Sequence, residues 1–352
     1  MKPARFQEIA SHYASLRIAV VGDFCLDRYL EIDPAKKEKS IETGLPVHNV
    51  VNVRSQPGGA GTILNNLVAL GVGKIYPAGF CGEDGEGYEL QNALGKLQGV
   101  SMEHFLVTSQ RRTFTYTKPL VMQSGQIPRE LNRLDLKNWT PTPKTLQKKL
   151  SSAVRDLASK VDAIIVLDQV DIAQTGVVTS GILKALHAVA RAHSKLFILA
   201  DSRRGLSDFP PLAFKVNKVE MAASLESKRP LSLAQIKVAA ASLARKNGQP
   251  IFVTLAEQGL LSASPEGQIE HVPALPLRGE IDIVGAGDSV TANLTAAVSA
   301  GATLREALDI ASAAASVVIH KLGMTGTASI LEINKLLIQA KKAGLVSGTK
   351  QI

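Results

Sequence analysis

Short apolar runs rich in β-branched residues recur along this chain, and nearly every one is followed by a stretch with helical spacing. Residues 17–23 (RIAVVGD) form the first, a continuously apolar segment of the kind buried on both faces of a parallel sheet, ending in Gly-Asp. Further strands are expected at 74–80, 163–168, 196–201 and 251–255, and helices at 62–70, 87–97, 289–300, 304–321 and 330–342. Parallel strands can pair only through crossovers, and helices supply them. The pattern therefore predicts an α/β fold, a doubly wound, mostly parallel sheet flanked by helices.

Two stretches break that rhythm. Residues 29–54 and 112–136 hold short alternating segments, such as Val47-His48-Asn49-Val50-Val51 and Thr113-Phe114-Thr115-Tyr116. Alternation suits antiparallel strands with one face in water, so either a pair of surface hairpins or a small sheet over the main one is expected. The best linker candidate, 139–144 (WTPTPK), is too short to separate independent domains, which leaves one domain over 1–352.

Charge narrows the partners. Lys and Arg number 40 against 31 Asp and Glu, an excess that suits nucleic acid, acidic lipid or phosphorylated metabolites. Nucleic-acid binders stack bases on aromatic side chains, and here aromatics are only 4%. The one dense basic run, Lys36-Lys37-Glu38-Lys39, is short and interrupted, so most of the charge is expected to be solvated surface. No apolar run approaches the ~18 residues of a spanning helix, and the N-terminal stretch lacks the apolar core of a secretory signal. Cys25 and Cys81 cannot build a disulfide framework or a four-thiolate zinc site, so a reduced, cytoplasmic setting is expected, with neither membrane nor nucleic acid as partner.

Asp282-Ile283-Val284-Gly285-Ala286-Gly287-Asp288 opens directly into the apolar helix from Ser289. Glycines at a helix start let backbone N–H groups converge on an anion, and the helix dipole adds to the attraction. A carboxylate there is costly beside an anion unless it acts on the reacting group, as a general base would; Asp288 as a plain N-cap is the other reading. Pro57-Gly58-Gly59-Ala60-Gly61-Thr62 opens a second helix, for close ligand approach or for a tight turn. Gly82-Glu83-Asp84-Gly85-Glu86-Gly87 reads as a structural turn, and no Walker-type loop occurs.

These pieces, in this order, resemble the PfkB (ribokinase-like) carbohydrate kinases over roughly residues 15–345. The set comprises Gly22-Asp23 with Asp27, the PGGAG run, Asn66-Leu67 with Leu70-Gly71, Gly82-Glu83-Asp84 with Gly87, Asn217-Lys218-Val219-Glu220, Val253-Thr254-Leu255 and the GAGD run. Arg112-Thr113 with Lys118, Asn132-Arg133-Leu134-Asp135 and residues 316–323 look like the D-glycero-D-manno-heptose-7-phosphate kinase branch.

The resemblance implies transfer of the γ-phosphoryl of ATP to a hydroxyl of a sugar or sugar phosphate, a heptose 7-phosphate being one candidate. Mg²⁺ and a monovalent cation are the implied cofactors. It assigns Asp288 as base and Gly285, Ala286 and Gly287 as the anion hole, with Asn217 and Glu220 towards the metal. Asn217, Thr254, Gly259 and Gly287 fall on the nucleotide side, and residues 313–323 on the adenine wall. On the acceptor side it implies Asp23, Asp27, Gly58, Gly59 and Thr62, with Arg112 and Lys118 available to a substrate phosphate. Residues 29–54 and 112–136 become a small β-sheet lid, through which two copies could pair as a homodimer.

Several positions depart from the family. Thr62 stands where an Asn is usual, and Ala256 where a glycine is usual. The heptose branch's Ser-Asp-Tyr-Gly-Lys-Gly-like segment reads LDQVDI at 167–172, and its Asp-Pro-Lys-like segment is Asp201-Ser202-Arg203. Catalytic positions survive while acceptor-facing ones change, which favours an active kinase with an altered sugar. The alternative is a catalytically weak homologue that binds sugar or nucleotide as a regulatory protein. No H-x-G-H signature occurs, so any nucleotidyl transfer is expected from another protein.

Overall fold

The computed structural model describes residues 1–342 except 124, 126, 228 and 324; the end of the expected 1–352 domain, and two positions of the 112–136 stretch, lie outside the described residues. Among the described residues the strands are, in chain order, β1 (Arg17–Gly22), β2 (Phe24–Lys39), β3 (Pro46–Gly59), β4 (Lys74–Gly82), β5 (Phe105–Thr108), β6 (Phe114–Val121), β7 (Arg129–Glu130) and β8 (Leu134–Leu136). They continue with β9 (Ala163–Asp168), β10 (Phe197–Ser202), β11 (Ala213–Asn217), β12 (Ile251–Thr254), β13 (Leu260–Ala263) and β14 (Ile269–Val272). Nine of them form one sheet in the order β14-β13-β12-β11-β10-β9-β1-β4-β5. Every pairing from β12 to β5 is parallel, and β13 and β14 add an antiparallel edge.

The apolar runs behave as expected of strands covered on both faces. Ile18 and Val20 point into one buried cluster while Ala19 and Val21 point into the other, and β9 divides Ile165 from Ile164 and Val166 likewise. Helices Ala60–Ala69, Ala286–Ser299 and Leu304–Val318 cover the first face, and Lys144–Leu157, Ser180–Ala192 and Leu233–Asn247 the second. Ile63, Leu64 and Leu67 are fully buried, each contributing about 1.5–3 kcal/mol by leaving water. The expected strands and helices are present within a few residues, but β5, β11, β13 and β14 were not expected. They are short, and β11 (AFKVN) carries a lysine, so none stands out as an apolar run.

The irregular stretches make a second sheet, β3-β2-β6-β7, with β7 on the far part of β6 and β8 along its root. It begins nearer the body than 29–54 suggested, because β2 starts at Phe24 and β3 runs on to Gly59. Antiparallel pairing was expected throughout, yet β2 and β6 are parallel, from Cys25 beside Phe114 to Ile32 beside Val121. Both strands leave the same end of the large sheet and run outward, which fixes their common direction. Nor is one face wet near the root, where Phe114 and Thr115 are both buried. This register sets Cys25, Asp27, Tyr29 and Glu31 on one face beside Phe114, Tyr116, Lys118 and Leu120.

Candidate active site

β1, β9, β10, β11 and β12 all end on one side of the large sheet, and the helix Ala286–Ser299 begins there. Its N-cap is Gly285, with φ +80°; a Cβ at this position would also lie 2.6 Å from the Thr325 methyl, so both conformation and space demand glycine. Asp288 is therefore the third helical residue and caps nothing, which removes the cap reading. Its half-buried carboxylate has no hydrogen-bond partner among the described residues. Burial, together with the charges of Asp201 and Asp27, pushes its pKa up to about 7 against the opposing pull of Lys215 and Arg203.

Facing this helix start is a buried ion pair that the motifs did not indicate. Lys215 from β11 bonds to Asp201 from β10, and Thr291 donates to the same Asp201 oxygen at 3.2 Å. A Cβ on Gly287 would lie 3.5 Å from the Lys215 ammonium, so the cation sits beside the glycine-lined mouth. Burial pulls the Lys215 pKa down, but Asp201, Asp288 and Glu220 leave it above its ordinary value, so the ammonium keeps its charge. The available signal was a lysine inside a buried strand just before Asn217.

Asn217 and Glu220 form a reciprocal capping box on the helix Lys218–Ser224. The Asn217 carbonyl oxygen accepts from Val219 and Glu220 N–H, and Glu220 Oε2 accepts from Asn217 N–H at 2.7 Å. Glu220 Oε1 remains available for a cation, and burial together with the Asp201 charge raises this carboxyl's pKa despite the Asn217 bond. Thr254 lies beside Asn217 in register. Gly259, with φ +91°, shapes the β12–β13 turn, where a Cβ would meet the Val272 carbonyl at 2.0 Å. Ala256, at the position of the family's usual glycine, has φ +52°, so that preference is a matter of backbone conformation.

Across the cleft, Asp27 and Lys118 meet at 3.7 Å on the inner face of the small sheet. Burial raises the Asp27 pKa more than Lys118 lowers it. Gly58 admits this arrangement, since a Cβ there would lie 2.7 Å from the Asp27 carboxylate. Lys118 also donates to the Tyr29 hydroxyl at 3.4 Å and, like Arg54, stands over the Tyr29 ring. Gly59, with φ +57°, starts the helix Ala60–Ala69, and the Thr62 methyl points towards Gly285. The two glycine-led helix starts thus meet at the floor of the cleft. The opening measures about 650 Å³, with Tyr29, Lys118 and Glu130 on one wall and Asp282, Val284 and Thr325 on the other.

Other expected acceptor residues lie differently. Asp23 turns inward: its carboxylate accepts the N–H groups of Val177 (2.6 Å), Gln169 (2.8 Å) and Val170 (3.3 Å), pinning the 169–177 loop to the end of β1. Arg112 is exposed and lies against Asp84 and Glu86, a surface ion pair. Asp84 itself caps the helix Gly85–Gly95 and holds Thr113, as the structural reading of that turn required. In the altered segments, Arg204 bonds to buried Asp168 at 2.7 Å, and Arg203 lies 3.6 Å from Asp171.

Sheet, crossover helices and a glycine-led helix facing a buried ammonium define the class as a ribokinase-like small-molecule kinase fold. Solved structures share it: Arabidopsis thaliana ribokinase complexed with ribose and ATP superposes with a TM-score of 0.66 at 20% identity, covering 92% of this chain and 98% of that one. Phosphofructokinase-2 from Escherichia coli in complex with substrates and products gives 0.70 at 17% identity, covering 93% and 99%. Residues 16–330 match the pfkB family carbohydrate kinases, and the chain belongs to that family. Curated relatives include Bifunctional protein HldE of Bradyrhizobium sp. (strain ORS 278), 29% identical over 96% of this chain and 67% of that protein. The Bifunctional protein HldE of Helicobacter pylori (strain ATCC 700392 / 26695) is 30% identical over 92% and 67%. The chain thus spans about two thirds of these relatives' length. Among the described residues no helix is long and apolar enough to cross a membrane.

Proposed function

We propose that this carbohydrate kinase moves the γ-phosphoryl of ATP to a hydroxyl of a sugar phosphate, a heptose 7-phosphate being the favoured acceptor. The observation that carries the reading is Asp288, unpartnered among the described residues at a glycine-led helix mouth with the Lys215 ammonium beside it. The acceptor oxygen forms a bond to the γ-phosphorus, the bond from that phosphorus to the β,γ-bridging oxygen breaks, and ADP departs. Asp288 takes the hydroxyl proton. Backbone N–H groups of Gly285, Ala286 and Gly287, with Lys215, balance charge on the transferring group.

An oxygen-only donor set fits hydrated Mg²⁺, which would neutralise the nucleotide phosphates; Glu220 and Asn217 would hold it, with Asp201 nearby. Thr254 and Gly259 border the nucleotide. Asp27, Gly58, Gly59 and Thr62 orient the acceptor, and Lys118 meets its phosphate; the heptose-like segments at 112–118 and 132–135 support this assignment. The small sheet acts as a lid that excludes water from the transfer. Its edge strand β3 exposes Val50, Val51 and Val53, an edge suited to a second copy of the chain. ATP as donor and two buried unpaired thiols fit a cytoplasmic setting. Among the fold neighbours, phosphofructokinase-2 from Escherichia coli was solved in complex with potassium, so potassium is the monovalent ion to test.

The deciding experiment measures phosphoryl transfer from ATP across a panel of sugars and sugar phosphates, with Asp288→Asn alongside. Turnover of a phosphorylated heptose that disappears in Asp288→Asn is expected. Sugar binding without turnover of any acceptor would instead establish the regulatory reading.

A further inference from the structure

At the β5 edge of the large sheet, with β4, β1 and β9 between it and the β10–β12 strands that carry Asp201, Lys215 and Asn217, three potential metal ligands converge. Glu103 and His104 occupy a short turn immediately before β5, and Asp156 lies in the last turn of the helix Lys144–Leu157. One ligand atom from each falls within a common span of 4.8 Å. His104 Nε2 stands 3.2 Å from Asp156 Oδ2 and 3.8 Å from Glu103 Oε1. In a tetrahedral site with bonds of about 2.0–2.2 Å, neighbouring donor atoms stand roughly 3.4 Å apart, and these two separations bracket that value.

The histidine supplies the independent sign. It is 9% exposed, and its enclosed Nε2, although 3.2 Å from Asp156 Oδ2, makes no hydrogen bond there or elsewhere among the described residues. Leaving a buried polar nitrogen unpaired costs about 1–3 kcal/mol, so such an atom normally has a use. The carboxylates already hold a cation: the Lys160 ammonium lies 2.7 Å from Asp156 and 3.5 Å from Glu103. All three of these charged side chains are substantially exposed, so their pairing is weak and exchangeable.

We infer that Glu103, His104 and Asp156 form a site for a divalent transition metal of the zinc class, entered as the Lys160 ammonium swings out. One neutral imidazole with two carboxylates is a borderline donor set, which selects Zn²⁺ or Co²⁺ over Mg²⁺, and water completes the coordination. The bound ion staples the end of the helix Lys144–Leu157 to the edge of the sheet at β5. Its role is structural, separate from phosphoryl transfer.

The test titrates chelator-treated full-length protein with Co²⁺, followed by visible absorption, and with Zn²⁺, followed by calorimetry and thermal unfolding. Saturation at one equivalent and a Tm that climbs with free Zn²⁺ are expected in the presence of excess Mg²⁺. His104→Ala should weaken binding by more than the roughly 10–100-fold that a mere supporting contact is worth, with kinase turnover in Mg²⁺ unchanged as proof of folding. Lys160→Met should tighten binding by about fivefold, because it removes the competing ammonium. Absence of saturable binding, or equal affinity in wild type and His104→Ala, overturns the site. Affinity unchanged in Lys160→Met overturns the exchange.

Discussion

The two walls of the cleft are built on different physical terms. On the body side, Lys215, Asp201 and Thr291 are locked together in the interior, and the glycine at 285 fits one backbone conformation only. On the sheet side, Lys118 has three donors and only loose partners, Asp27 at 3.7 Å and Tyr29 at 3.4 Å. A preorganised wall suits charge that develops during transfer, while a loosely held cation suits an acceptor that must enter and leave. The departures from family pattern do not follow that division: GAGD is intact on the body side, and Thr62, Ala256 and the rewritten 167–172 segment lie on the body as well.

Substitutions on the two walls should therefore separate turnover from acceptor affinity. Asp288→Asn carries the largest expected effect, a fall in kcat of about 10²–10⁴-fold at unchanged fold, read by steady-state kinetics. The same variant sharpens the electrostatic claim. The Asp288 pKa is raised to about 7, so the proton lost early by the unfolded chain is retained in the folded one. That contribution to stability is complete below the unfolded value and is lost as pH rises through 7. Asp288→Asn should accordingly melt above wild type at pH values beyond about 8, the gap closing towards pH 4.

Lys215→Met comes next, with kcat lowered about 10²-fold. It also removes the cation that holds the Asp288 pKa down, so the acid limb of kcat/KM should move from near pH 7 to higher pH. An unmoved limb would show that Asp288 is not the titrating base. Lys118→Met should raise KM for a phosphorylated acceptor about 10-fold and leave kcat nearly intact; equal losses in both would erase the contrast between the walls. Smallest is Ala256→Gly. Relief of the left-handed backbone at φ +52° should stabilise the protein by about 1 kcal/mol or less, measured by chemical denaturation.

What could be read in the residues followed from what each pattern physically encodes. Continuous apolar runs mark strands buried on both faces, so β1, β4 and β9 were legible; a five-residue strand carrying a buried lysine leaves no such trace, and β11 with Lys215 went unseen. Motif order located Asp288 but could not show that Gly285 is the cap. The pairing of Asp23 with the 169–177 backbone, and of β2 with β6, depends on contacts between segments far apart in sequence. Alternation in either strand alone holds no information about its partner's direction.

That shared direction has a mechanical consequence. Two strands rooted side by side make the small sheet a cantilever, clamped where Leu26 and Phe114 are buried and free where Lys37 and Lys39 are exposed. A load applied at the tip becomes a bending moment at the root, where Asp23 joins β1 to β2. Since the Asp23 carboxylate grips the 169–177 loop, deflection of the beam is delivered directly to the rewritten segment.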